Sequence, residues 1–231
     1  MTSARPLLEV RDVSKNYNGV RPLRIVELIV APRDRVVLSG FDAPSAETFV
    51  HLVTGAAVPD SGVVRLDGHD TREISTDTAW LASLDRIGIV TARAVLLESM
   101  STAANLALPL TIAIDPIPPG IRTEVDALAQ EIGLASDRLT SPASRLSAEE
   151  RVRVHLARAI ALGPQLVLLE HPTAGLEASS GVAIGATLER ISRHRQIAWV
   201  ALSDDDGFAR ASGATRLRLD AATGKLKRKW F

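Results

Sequence analysis

An α/β protein built on a mainly parallel sheet is predicted by three patterns in the chain. Short β-branched runs alternate with segments whose apolar residues recur at helical spacing. Residues 166–169 are four consecutive apolar residues, the composition of a strand buried on both faces. The first third is rich in strands and turns, while the middle carries a helical insertion near residues 95–145. At 231 residues the chain suits one large domain, 1–231.

The elements follow in order. Residues 7–13, 25–30 and 35–39 read as strands, with Arg33-Asp34 after Pro32 as the tight turn between the last two. Pro59-Asp60-Ser61-Gly62 is a turn, leading into a strand at 63–66 and a second turn at Asp67-Gly68. Residues 87–90 form a short buried strand. Pro109, Pro116, Pro118 and Pro119 punctuate a loop that cannot be helical throughout. Ile121, Val125, Leu128, Ala129 and Ile132 then share a helical face, with Gly133 as its C-cap. A helix from Ala148 to about Leu162 stops at Gly163-Pro164. A helix at 181–193 and strands at 197–202 and 216–219 complete the alternation.

Composition narrows the function. Hydrophobic residues make up 46% and charged residues 23%, as in folded soluble proteins. Basic and acidic residues number 27 each, so no global field draws nucleic acid, and none is expected as a partner. The C-terminal run Lys225, Lys227, Arg228, Lys229 reads as a solvated tail or a contact for lipid headgroups. The N-terminus lacks the basic start and apolar stretch of a signal peptide. The apolar run 106–114 is interrupted by Pro109 and falls short of the ~18 residues a spanning helix needs. Absence of cysteine excludes disulfides and fits a reducing compartment. A soluble, cytoplasmic protein is expected.

Two segments carry a family resemblance: VVLSGFDAPSAETFVHLVTGAAVPDSGVVRLDG at 36–68 and RLSAEERVRVHLARAIALGPQLVLLEHPTAGLE at 145–177. In order and spacing they resemble the nucleotide-binding subunits of ABC transporters. Matching context includes Asp67-Gly68, Leu156-Ala157-Arg158-Ala159, Pro172-Thr173 and Leu176, and residues 105–110 look like lipoprotein-release and efflux-type members. The resemblance implies a P-loop NTPase-like parallel-sheet core with an antiparallel β subdomain and a helical subdomain. It also implies a place on the inner face of the cell membrane, a transmembrane permease as partner, and a second nucleotide-binding subunit in a homo- or heterodimer.

The motifs themselves depart from the family. A P-loop surrounds phosphates with the amides of a helix N-terminus, adds a lysine, and holds Mg²⁺ through Ser or Thr. Aligned on Gly40, the lysine position is Ala46, the next residue is Glu47, and the later glycines are Ala43 and Ser45; Thr48 keeps the family's threonine. A contact between unit charges 4 Å apart is worth about 4 kcal/mol at an effective dielectric near 20. Two such contacts match the roughly 8 kcal/mol behind a micromolar dissociation constant. Bound ATP is therefore expected to be weak or absent and Mg²⁺ doubtful, although Glu47 has room to turn into solvent. The Walker B aspartate corresponds to Glu170, the catalytic glutamate to His171, the Q-loop glutamine to Ala92, the switch histidine to Asp204 and the D-loop aspartate to Glu177. His171 is either a base or a cap on a buried strand end.

Two features persist. Tyr17 stands where relatives stack an aromatic on adenine, or is a half-buried tyrosine at a strand end. Ser147 retains the signature serine that reaches a partner's nucleotide, while with Glu150 it also spells a capping box. The expected function is a non-hydrolysing structural or regulatory subunit docked on a permease. The alternatives are an active ATPase using Glu170 and His171, or a soluble binding module that lost transport. Val95, Leu96, Leu97, Met100, Leu106 and Leu108 are candidates to line the family's permease groove, or to form the subdomain core.

Overall fold

The computed structural model describes residues 5–17, 19–74, 76, 78, 80, 85–91 and 93–229. In chain order the first half runs β1 (Leu8–Lys15), β2 (Leu23–Val30), β3 (Arg35–Ser39), α1 (Ala43–Thr54), β4 (Ser61–Leu66), β5 (His69–Asp70) and β6 (Ile87–Val90). The second half runs α2 (Thr102–Ala107), α3 (Pro119–Glu131), α4 (Ala148–Ile160), β7 (Leu166–Glu170), α5 (Ala178–Arg195), β8 (Ala198–Leu202), α6 (Asp206–Ala211), β9 (Thr215–Asp220) and β10 (Lys225–Arg228).

β2, β1, β4 and β5 form an antiparallel sheet in that order. The second sheet has the order β10-β9-β3-β8-β7-β6, parallel except for the terminal β9–β10 hairpin. Every residue of β7 and β8 is buried, as strands covered on both faces must be. One apolar core joins the antiparallel sheet to α1, where Phe49, Leu52 and Val53 meet Leu8, Val10 and Ile25. The other joins the parallel sheet to α5, α6 and the helical insertion around Trp199, Leu188 and Phe208. A side chain at Gly88 would sit 2.3 Å from the Ala159 carbonyl, so glycine is what lets β6 lie against α4.

The structure corrects several expectations. β1, β2, β4, β9 and both long helices α4 and α5 differ from their sequence-read limits by one to a few residues, the scatter usual for frayed ends. Residues 225–228 are not a free tail, although their basic side chains stay exposed. They form an edge strand in which Lys227 pairs with Asp220 at 2.9 Å, and the following Lys229 pairs with Asp206 at 2.9 Å. The short helices α2 and α6 show no helical periodicity because neither is long enough; their N-caps Ser101 and Asp205 are the available signal. The apolar residues near 95–108 divide between roles: Leu96 and Leu106 lie in the core, whereas Val95 is 73% exposed and Leu97 41%. Among the described residues no helix is long and apolar enough to cross a membrane.

Asn105 is fully buried and holds the insertion's first turn in place. Its Oδ1 accepts from the Leu97 amide at 2.8 Å, and its Nδ2 donates to the carbonyls of Leu97 at 3.0 Å and Ser101 at 3.1 Å. Asn105→Leu strands the Leu97 amide, while the Leu97 and Ser101 carbonyls keep the amides of Met100 and residue 105, so urea titration should show a loss of about 2 kcal/mol in unfolding free energy. A loss no larger than that of an exposed control substitution would refute this role.

Candidate functional site

The parallel strand order decides which candidate residues can meet. β3, β8, β7 and β6 lie side by side, so their C-terminal ends place Gly40, Asp204, Glu170 and the segment after Val90 along one edge of the sheet. Ligand sites of open α/β sheets form at such an edge.

At the first of these positions the chain satisfies its own amides. Asp42 is the N-cap of α1, and its Oδ1 accepts from the Ser45 amide at 2.9 Å. The Ser45 hydroxyl donates to the same carboxylate and to the Asp42 carbonyl, the latter at 3.0 Å. The Ala46 amide donates to the Asp42 carbonyl at 2.9 Å, and Pro44 has no amide hydrogen to offer. Gly40, at φ +86°, donates its amide to Asp204 Oδ1 at 3.0 Å. Ala46 is completely buried, and Thr48 turns inward to donate to the Pro44 carbonyl at 2.8 Å. The Ser45 hydroxyl, and then its amide, hold the Asp42 carboxyl below the usual aspartate range.

Tyr17 leans over this turn. It packs against the core below the antiparallel sheet and lines a cavity of about 160 Å³ with Arg21, Pro22, Gly40, Asp42 and Ser45. Burial, and then the Asp42 carboxylate, raise its phenol pKa above the ordinary value, partly offset by the Ser45 hydroxyl.

At the far end of the edge, Glu47 is partly exposed and pairs with an arginine. Arg93 Nη1 lies 3.0 Å from Glu47 Oε1 and 3.1 Å from Glu170 Oε1, and Arg93 Nη2 lies 2.7 Å from Glu170 Oε2. Glu170 is 7% exposed at the end of β7, so its charge has a bidentate guanidinium where water is scarce. Arg93 was not singled out in the sequence, and its signal there is a basic residue immediately after the glutamine position. That position itself, Ala92, lies outside the described residues.

The remaining candidates fall nearby or apart. His171 adopts φ +44°, donates its amide to the Leu202 carbonyl at 2.9 Å and accepts from the Ala174 amide at 3.0 Å, as a strand-end cap does. Its Nε2 is buried without a hydrogen-bond partner. Ser147 completes a full capping box: its hydroxyl accepts from the Glu150 amide at 3.2 Å, and Glu150 Oε2 accepts from the Ser147 amide at 2.8 Å. Glu177 is the N-cap of α5, without a side-chain capping bond.

A groove of about 400 Å³ opens beside this edge, between β6, the insertion and α4, with Ala94, Leu108, Pro109, His155 and Leu162 in its walls. Of the residues read as groove candidates, Leu108 is therefore in the wall, while Leu96 and Leu106 serve the core. Burial first, then Arg158 and Arg151, push the His155 pKa below its ordinary value.

Comparison with known proteins matches residues 45–174 to the family described as ABC transporter. The lipoprotein-releasing system ATP-binding protein LolD of Geobacter metallireducens is 33% identical over 220 residues, covering 90% of this chain and 94% of the relative. The pyoverdine export ATP-binding/permease protein PvdT of Pseudomonas aeruginosa is 30% identical, across 94% of this chain but 33% of its own length. Among solved structures, a dimeric ATP-binding cassette in a post-hydrolysis state with ADP and Pi superposes with a TM-score of 0.78 at 22% identity, covering 96% of this chain and 97% of that one. Sequence, strand order and the placement of both motif segments agree: the chain belongs to the ATP-binding proteins of the ABC transporter family.

Proposed function

We propose that the chain is a non-hydrolysing structural or regulatory subunit that docks on a membrane permease at the inner face of the cell membrane. The observation that supports this best is the closure of the phosphate-binding turn by the chain's own carboxylates. Asp42 takes the Ser45 amide and Asp204 the Gly40 amide, while Pro44 supplies no donor and Ala46 no cation. A triphosphate would have to displace one carboxylate and lie beside both. At about 4 kcal/mol for each like-charge contact at 4 Å, that penalty cancels a micromolar binding energy. The cavity under Tyr17, about 160 Å³, is smaller than the roughly 300 Å³ at which small-molecule pockets begin. The residues that would hold Mg²⁺, Glu47 and Glu170, are already joined to Arg93. Mg-ATP therefore does not fit the residues present.

The site residues are read accordingly. Gly40, Ser45, Ala46, Glu47, Thr48 and Tyr17 form a vestigial nucleotide site, and Glu170, His171, Ala92 and Asp204 are degenerate counterparts of catalytic positions. Ser147 is a helix cap, whose amide is already taken by Glu150. The chain acts as one domain, with a helical subdomain at about 95–145. Its groove beside Leu108 and His155 receives the permease, and a second nucleotide-binding subunit completes the assembly.

An active ATPase using His171 as base remains the rival, favoured by the unpaired His171 Nε2. Calorimetric titration of ATP, with and without Mg²⁺, should give no binding isotherm, and phosphate release should equal the buffer blank. Turnover abolished by His171→Ala would establish the rival instead. A pull-down from native membranes should return a permease; recovery of neither a permease nor another cassette subunit would contradict the docking role.

The Asp42 plug also has a pH signature. Its folded pKa lies below the unfolded value, so its contribution to stability is complete at neutral pH. That contribution is lost as pH falls from about 4 through the lowered folded value. Denaturant titrations from pH 7 to 3 should show Asp42→Asn less stable than the parent at neutral pH, with the gap narrowing as pH falls below about 4. A gap independent of pH would refute the assignment.

A further inference from the structure

We propose that Arg93 is a resident cation: its guanidinium permanently fills the position between Glu47 and Glu170 and fastens the segment leading into the groove to the sheet edge. The inference relies on the reading above only for what the groove receives.

Three elements distant in sequence meet at this one group. Glu47 comes from α1, Glu170 from the buried end of β7, and Arg93 from the connection that leaves β6. A single nitrogen, Arg93 Nη1, lies 3.0 Å from one carboxylate and 3.1 Å from the other. Without a cation there, the two acids would face each other, one of them nearly out of water, an arrangement that like charges resist. Pairing in the fork geometry of a guanidinium also fixes direction, which a loosely held ion does not. The consequence travels a short way along the chain. Ala94, the next residue, is a wall of the groove, and its amide donates to the Thr91 carbonyl at 3.1 Å. The carbonyl of Val95 is held by Arg158 from α4 at 2.9 Å. The groove wall is thus pinned on one side by the guanidinium and on the other by α4, and neither pin needs a ligand. Arg93 acts as a positioning residue, and the groove is preset without metal or nucleotide.

The test uses the whole chain and Mn²⁺ as probe, without nucleotide. Arg93→Ala leaves two facing carboxylates, so the variant should bind Mn²⁺ roughly tenfold more tightly than the parent by electron paramagnetic resonance. Hydrogen exchange at residues 93–97 should rise about tenfold in Arg93→Ala, an opening easier by one factor of ten in its equilibrium constant, and fall again when Mn²⁺ is added. Arg93→Lys should keep both properties near the parent's, since it restores the charge. Should Arg93→Ala not fold, the second arm decides: exchange at residues 93–97 should be faster in Arg93→Lys/Glu47→Gln, where the ammonium has lost one of its two carboxylates, than in Arg93→Lys alone. Equal Mn²⁺ affinity in parent and Arg93→Ala, unchanged exchange in Arg93→Ala, or, where that variant does not fold, equal exchange in Arg93→Lys and Arg93→Lys/Glu47→Gln, overturns the proposal. Because no nucleotide is present, these outcomes are independent of whether the chain binds ATP.

Discussion

The N-terminus of α1 must have an anionic or polar partner, and in this chain the partner is Asp42. A helix start leaves amide hydrogens unpaired and carries partial positive charge. A phosphate-binding loop keeps that end open for its ligand; here a carboxylate two residues beyond Gly40 caps it within the same turn. Because β8 lies beside β3, Asp204 reaches the Gly40 amide as well. On the reading proposed above, the exclusion of a polyanion would follow from a local cap and one strand adjacency.

The same edge of the sheet needs positive charge at its other end, and Arg93 supplies it. Removing the lysine and adding acids, at Glu47 and Glu170, would leave a nearly buried carboxylate uncompensated. The guanidinium resolves this electrostatically, and it stands in the connection that leaves β6, one residue before Ala94 in the groove wall.

Much of the fold was legible because it is written locally. The strands at 35–39 and 87–90 match β3 and β6 residue for residue, the first behind the Arg33-Asp34 turn and the second as a short buried run. The capping box at Ser147 needs only four residues, and it is present as read. The loss of charge at Ala46 and His171 was visible as residue identity. Arg93 was not, because its meaning requires β6 beside β7 and α1 across from both, a fact of tertiary structure. Nor was the fate of the C-terminal lysines: their acid partners, Asp206 and Asp220, become neighbours only once β9 and β10 pair.

The account stands on the amides of Gly40 and Ser45 being held by carboxylates of the chain itself. Backbone nitrogen–proton spectra recorded while millimolar Mg-ATP is added follow those two amides directly. The account predicts that neither resonance moves beyond the shift caused by matched salt. A saturable shift of both, ending in protection from solvent exchange, would contradict it.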